Sequence, residues 1–202
     1  MKTTIQILNK ALRTAGAITA SAILLITLAF TSCTNNSAQE DTKEIANDQN
    51  DAKFENPKQT DAEFLVNAAE INLEEIQLGQ LAQSNGMMSE VKELGKMMQA
   101  EHSKSLTDLQ ALAASKQITI PTSLTNEGQD ANKKLSDEKG KDFDKEYCNM
   151  MVKGHKDAID IFEKQSTEGT DAEIKSWATG MLPALRSHLD HSLTCQKACE
   201  KM

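Results

Sequence analysis

Apolar residues recur at three- and four-residue steps along four long stretches of this chain, a spacing typical of amphipathic α-helices. The clearest stretch, Glu90–Ala114, contains no proline and is dominated by residues that favour helices. Similar spacing predicts helices from about Asp61 to Asn85, from about Asp142 to Thr167, and from Asp171 towards the C-terminus. We therefore predict an all-α fold in which residues 61–202 form one antiparallel four-helix bundle.

Local signals separate the predicted helices. Asn85-Gly86 and Gly169 end the first and the third, because glycine suits the left-handed conformation that closes many helices. Between the second and third helices, Ile118-Thr-Ile-Pro121 predicts an extended segment, since β-branched residues and proline disfavour a helix. A short helix is expected over Leu124–Leu135, so the second and third long helices are joined by a long connection.

Each long helix carries a titratable residue on its otherwise apolar face. These residues are Glu75, His102, His155 and His188. Folding each pair of neighbouring helices so that these residues oppose one another centres the two turns next to Asn85-Gly86 and Gly169. Because both turns coincide with signals that end a helix, the four side chains are predicted to lie at one level of the bundle.

Such a cluster supports two interpretations. Helical bundles build metal sites from carboxylate and imidazole groups that project inward from facing helices, so the four residues are candidate metal ligands. In the alternative interpretation each histidine makes one hydrogen bond in the core and Glu75 pairs with a neighbour, because unpaired buried polar groups are costly.

The N-terminal region has the features of a secretory signal peptide over residues 1–32. It begins with a basic segment, and the apolar run Ala15–Phe30 that follows is short for a membrane span. Thr31-Ser32-Cys33 is similar to a bacterial lipobox, which implies cleavage before Cys33 and lipidation of that residue; an ordinary signal peptide with an incidental cysteine is the alternative. Residues 33–60 are polar and are predicted to be a disordered tether.

Charge narrows the range of partners. The full chain has a net charge of −8, and loss of residues 1–32, which carry three basic residues and no acidic one, makes it −11. Such an acidic surface repels phosphate backbones, so nucleic acid is not an expected partner. The expected partner is the membrane of a bacterial cell envelope, reached through acyl chains on Cys33, with the domain facing the periplasm or the cell surface.

Several motifs resemble those of a ferritin-like bacterial family called domain of unknown function 4142, often described as outer-membrane proteins. The resemblance spans about Asp61 to Leu193. The motifs that carry it are Asp61-Ala-Glu-Phe64, Glu75–Ala82, Glu101-His102, Phe143-Asp144 with Tyr147, Met151-Val152 with His155, Trp177-Ala178, Leu182-Pro183 and His188-Leu189. It implies a ferritin-like four-helix bundle in an envelope protein and no catalytic activity.

The ligand types narrow the choice of metal. Di-iron proteins of the ferritin type place a histidine three residues after a glutamate on two helices and add two further glutamates. The residues three before the candidate histidines are Gln99, Val152 and Leu185. A site rich in histidine and poor in carboxylate suits zinc or copper better than two irons.

Cysteines form a second candidate cluster. Cys148 and Cys195 are each offset by one heptad from a candidate histidine, so a Cys148–Cys195 disulfide is the simpler expectation in an oxidising compartment. Cys195 and Cys199 are one helical turn apart and offer another pairing. The alternative is a zinc or Cu(I) site formed by Cys148, His191, Cys195 and Cys199. The methionine pairs 87/88, 97/98 and 150/151 are interpreted as core filling.

Together these features predict a lipid-anchored envelope protein with a metal-binding or stress-related accessory role and no turnover. A structural or interaction module whose histidines are core residues is the alternative, and a metal-dependent oxidoreductase is the third interpretation. The sequence shows no phosphate-binding glycine loop, nucleophile elbow or Ser/His/Asp order.

Overall fold

The computed structural model describes residues 40–56 and 58–201, and all regular secondary structure in these ranges is α-helical. The helices are α1 (Thr42–Asp51), α2 (Lys58–Asn85), α3 (Ser89–Lys116), α4 (Asn126–Asp137), α5 (Gly140–Glu168) and α6 (Ala172–Cys199). The all-α prediction is confirmed, although the described ranges hold six helices where four long helices and one short helix were predicted. The predicted signal peptide, Cys33 and residues 34–39 of the predicted tether lie outside the described residues.

Helices α2 and α3 form an antiparallel hairpin whose backbones approach closely at two glycines. A Cβ atom on Gly79 would lie 2.6 Å from the carbonyl oxygen of Gly95, and one on Gly95 would lie 2.7 Å from Cβ of Ala82. Only residues without a Cβ permit this approach. The same register continues to Asn72 and His102, whose side chains are hydrogen-bonded across the hairpin.

Helices α5 and α6 form a second antiparallel hairpin. The side chains of Glu163 and Arg186 pair across it at 2.7 Å, and Asn149 accepts a hydrogen bond from Gln196 at 2.8 Å nearer the other end. Asp171 caps α6 as an oxygen acceptor for the first turn, which is a preferred N-cap arrangement.

Asp61 connects the two hairpins. Helix α2 begins at Lys58, earlier than predicted, so Asp61 is buried within the helix rather than placed at its start. Its carboxylate accepts hydrogen bonds from Gln165, from the backbone and side chain of Thr170, and from the backbone of Asp171. Burial raises the pKa of Asp61, but these hydrogen bonds outweigh burial and hold it below its ordinary value. The ionised carboxylate therefore fixes the α5–α6 turn against α2.

Helix α1 lies where the sequence predicted disorder. Asn50 exchanges two hydrogen bonds of 2.8 Å with the backbone of Thr119, and Lys43 pairs with Glu70 of α2. These polar contacts, rather than a large apolar face, hold the helix in place. The disordered tether predicted up to residue 60 therefore differs from the structure over Thr42–Asp51.

The core consists of two apolar clusters. One is built around Phe64, Phe162 and Trp177, and the other around Leu78, Met98 and Met151. On α3, α5 and α6 the two clusters are separated by one buried polar level. Within the described residues, no helix is long and apolar enough to cross a lipid bilayer.

Candidate metal centre

Three imidazole rings meet at the polar level between the apolar clusters. His102 of α3, His155 of α5 and His188 of α6 are buried, and their ring centroids are 5.3 to 5.6 Å apart. One nitrogen of each ring lies within 4.8 Å of the corresponding nitrogens of the other two. The structure therefore brings these three predicted residues together.

The hydrogen bond of His155 determines which of its nitrogens carries the proton. Its Nδ1 lies 2.8 Å from the carbonyl oxygen of Met151. A carbonyl oxygen only accepts, so Nδ1 is the N–H donor and Nε2 carries a lone pair. This Nε2 is buried and has no hydrogen-bond partner among the described residues.

Asn72 fixes His102 in the same way. The amide nitrogen of Asn72 donates to the carbonyl oxygen of Ala68 at 2.7 Å, which leaves Asn72 Oδ1 facing His102 Nδ1 at 3.0 Å. The amide oxygen only accepts, so His102 Nδ1 donates and its Nε2 carries a lone pair. That Nε2 is also buried without a partner among the described residues.

The ring of His188 is turned the other way. Its Nε2 donates a hydrogen bond of 2.7 Å to a carboxylate oxygen of Glu101. The remaining lone pair belongs to Nδ1, which is buried and unpartnered within the described residues. A carbonyl, an amide and a carboxylate thus hold the outer nitrogens, as they do for histidines that bind metals.

Burial favours the neutral form of His102 and His155. Desolvation, followed by the neighbouring His155 and His188, holds the pKa of His102 well below its usual range. Desolvation also lowers the pKa of His155 to about 4, with a smaller contribution from His188 and against the hydrogen bond to Met151. Neutral imidazole is the form that binds a metal, so His102 and His155 are in that form at neutral pH.

A cavity of about 230 Å³ lies beside the cluster. Its walls include His102 and His188 together with their hydrogen-bond partners Asn72 and Glu101. Three clustered histidines, two of which line an accessible space, resemble zinc sites that keep a fourth position for water or substrate.

The family comparison agrees with the extent of this helical domain. Residues 46–194 match the family described as Domain of unknown function (DUF4142). The chain belongs to this family. Neither the search of curated proteins nor the search of solved structures gave a match. The DUF4142 match begins within α1, so it covers part of the segment predicted to be a tether, and it contains all three clustered histidines.

Glu75, the predicted fourth ligand of this DUF4142 domain, is not part of the cluster. Its nearest carboxylate oxygen lies 3.6 Å from Nδ1 of His155, the nitrogen that donates to the carbonyl oxygen of Met151. Burial, reinforced by the charge of Glu74, raises the pKa of Glu75 well above its ordinary value. Both pKa shifts therefore favour the uncharged forms of Glu75 and His155. The prediction of Glu75 opposite His102 is wrong, because the α2–α3 register places Asn72 there.

The cysteine cluster lies on α5 and α6, one heptad away from the histidines of the same two helices. The sulfurs of Cys148, Cys195 and Cys199 are buried and within 4.8 Å of one another, and the three thiols are free. The Cys148–Cys195 disulfide therefore stays a prediction. His191 does not belong to the set, because it is exposed and its ring nitrogen contacts the backbone of Ser187.

Sequence reasoning missed two residues of these clusters. Asn72 carries no signal in the apolar pattern beyond its position one turn before Glu75. Met88 follows the end of α2, and its sulfur lies 3.8 Å from the sulfur of Cys199. The methionine pair at 87 and 88 was the available signal for it, although the pair was interpreted as core filling.

Proposed function

We propose that this DUF4142 protein binds a divalent transition metal, Zn²⁺ or Cu²⁺, through His102 Nε2, His155 Nε2 and His188 Nδ1. Two observations carry the proposal: one nitrogen of each buried ring lies within 4.8 Å of the others, and each ring has one buried nitrogen without a hydrogen-bond partner among the described residues. Leaving a buried polar atom unsatisfied costs about 1–3 kcal/mol. One cation satisfies all three atoms at once.

The donor set supports these two metals. Imidazole nitrogen suits zinc and copper, whereas magnesium and calcium take oxygen ligands. A di-iron centre is disfavoured because it needs several inward-facing glutamates, and the nearest buried one, Glu75, faces the outer nitrogen of His155. The adjacent cavity supports a fourth position open to water or another small ligand.

The setting of the site belongs to the same proposal. We propose that α2, α3, α5 and α6 constitute a ferritin-like antiparallel four-helix bundle to which α1 and α4 are additions. The two antiparallel hairpins support this arrangement. The lipobox-like Thr31-Ser32-Cys33 supports a lipid anchor in the bacterial envelope, where the bound metal serves an accessory or stress-related role.

A second candidate function is metal-dependent catalysis, and the observation that favours it is the cavity against His102 and His188. A metal with an open position lowers the pKa of bound water and polarises a substrate. This candidate requires a turnover that is lost when His102 is replaced by alanine.

The proposed metal site is tested with untagged, metal-free protein titrated with Zn²⁺ and with Cu²⁺ by calorimetry, followed by elemental analysis. One equivalent is expected to bind, and His155→Ala is expected to lose it. His191→Ala is the matched control, since that histidine is exposed and outside the cluster. Wild-type protein that binds neither metal, or equal binding by His155→Ala, refutes the proposal.

A further inference from the structure

We propose that the chain has a second metal site, selective for monovalent copper, formed by the sulfurs of Cys148, Cys195, Cys199 and Met88. The site is separate from the histidine cluster in its donors, its entry route and its metal. It therefore does not depend on the function proposed above.

Three thiols and a thioether converge at one place between the helices. Cys148 Sγ lies 2.6 Å from Cys195 Sγ and 3.6 Å from Cys199 Sγ, so the single thiol on α5 faces two thiols one turn apart on α6. A disulfide requires only two sulfurs. Here a third thiol and a thioether are brought to the same place, and all four residues pack in one apolar cluster.

Hydrogen bonds to the backbone of the α2–α3 turn fix the position of Met88. The carboxylate of Asp144, a fully buried residue of α5, accepts hydrogen bonds of 2.8 Å from the backbone N–H groups of Met87 and Met88. These two bonds hold the α2–α3 turn against α5. As a result the Met88 thioether lies over Cys199 while Met87 of the same turn is exposed.

The sulfur donors of this cluster favour monovalent copper. Thiolate and thioether sulfur are soft ligands that select Cu(I). Zinc sites are built from thiolates, imidazoles and carboxylates, and no nitrogen or oxygen ligand joins these sulfurs in the described cluster. Binding Cu(I) displaces thiol protons and forms copper–sulfur bonds without any change in oxidation state.

A cavity offers a cation an entry route to the thiols. A cavity of about 480 Å³ reaches Cys195 and is lined by Glu90, Glu93, Met97 and His191, among others. The two carboxylates attract a cation, while the thioether and the imidazole offer it transient ligands. This cavity shares no residue with the one beside the histidine cluster. His191 thus belongs to the approach to the sulfurs rather than to the site itself.

The test uses the full chain with Cys33→Ser, so that the three clustered cysteines are the remaining thiols. The protein is reduced under anaerobic conditions with a phosphine and titrated with Cu(I) against a chromophoric Cu(I) chelator. One Cu(I) is expected to bind. Cys199→Ser should weaken binding by more than about 100-fold, above the range for loss of an outer partner, and Met88→Leu by about 10-fold. Met181→Leu, in the other apolar cluster, should bind like the wild type.

A measurement on the parent protein guards against variants that fail to fold. X-ray absorption at the copper edge should show a coordination shell of sulfur alone. Nitrogen ligands place the copper on the histidines and overturn the proposal. Equal Cu(I) affinity in the parent and Cys199→Ser, or a Cys148–Cys195 disulfide that survives the reductant, overturns it as well.

Discussion

The histidine and cysteine clusters lie one heptad apart on α5 and α6, and in each the three ligand atoms lie within 4.8 Å of one another. They differ in the hydrogen bonds that orient their side chains. Each histidine is oriented by a hydrogen bond to Asn72, Met151 or Glu101, and its other ring nitrogen has no partner among the described residues. The cysteines contact mainly other sulfurs, and burial raises the pKa of the Cys199 thiol to about 11.

This comparison teaches that two buried clusters of similar size make different demands on a metal. Neutral His102 and His155 accept a cation without losing a proton. The cysteines must lose protons first, and they alone are open to oxidation to a disulfide. We therefore expect oxidation to act on one cluster and mild acid to act on the other.

Oxidation should produce the largest contrast. A diazene oxidant that takes two electrons and two protons from two thiols is expected to join Cys148 to Cys195. Cu(I) binding should then be lost completely, because two of its ligands are consumed, while Zn²⁺ binding should be unchanged. Non-reducing peptide mapping and paired titrations measure the outcome. A bridge between Cys195 and Cys199 alone would mean that the two helices pair in another register.

Metal-linked stability should give the next largest effect. At a free Zn²⁺ concentration about 1,000 times Kd, the free energy of unfolding should rise by about 4 kcal/mol, because metal binds the native state. His188→Ala should gain nothing, whereas Cys199→Ser and His191→Ala should gain as much as the wild type. Denaturant unfolding with and without Zn²⁺ measures these gains. A full gain in His188→Ala would contradict the three-histidine site.

The free energy of unfolding should depend on pH through the histidine cluster, by about 3 kcal/mol, and not through the cysteine cluster. The pKa of His155 is lowered to about 4 in the fold, against about 6.5 in the unfolded chain. The unfolded state therefore binds more protons between these pH values. The stabilising contribution of His155 is present above about pH 6.5 and is lost as the pH falls to about 4.

The measurement is the difference in unfolding free energy between metal-free wild type and His155→Gln at pH 7 and at pH 4. This difference cancels the opposing effect of Glu74, whose raised pKa favours the fold in acid. The wild type should lose about 3 kcal/mol relative to the variant. Cys199→Ser keeps His155 and should therefore lose as much as the wild type relative to His155→Gln. A difference that is constant with pH would mean that His155 titrates normally in the fold.

Loss of an outer partner should give the smallest effect. Asn72→Ala removes the acceptor that holds His102 in the metal-binding tautomer, so Zn²⁺ affinity should fall by about 10- to 100-fold. Asn72→Asp keeps an acceptor oxygen and should retain most of the affinity. Cu(I) affinity should be unchanged in both variants. Calorimetry measures the affinities, and an unchanged Zn²⁺ affinity in Asn72→Ala would show that the tautomer is fixed by other means.

Much of the site was predictable because its signals are local. The apolar spacing around His102, His155 and His188 identifies the buried face of each helix, and the glycines at 86 and 169 mark where the hairpins turn. These signals bring the three rings to one level. The same reasoning failed for residues 42–51, because that helix is held by hydrogen bonds to distant segments and not by an apolar face of its own.

The sequence by itself determined the helical class, the buried faces and the approximate level of the histidines, since each depends on neighbours within a few positions. Tertiary structure alone decided that Asn72 and not Glu75 faces His102, and that Met88 and not His191 joins the cysteines. The reason is that a shift of about one turn, roughly 5.4 Å, keeps the same residues on the same face of a helix. The periodic pattern cannot distinguish such registers, whereas the close backbone contact between Gly79 and Gly95 can.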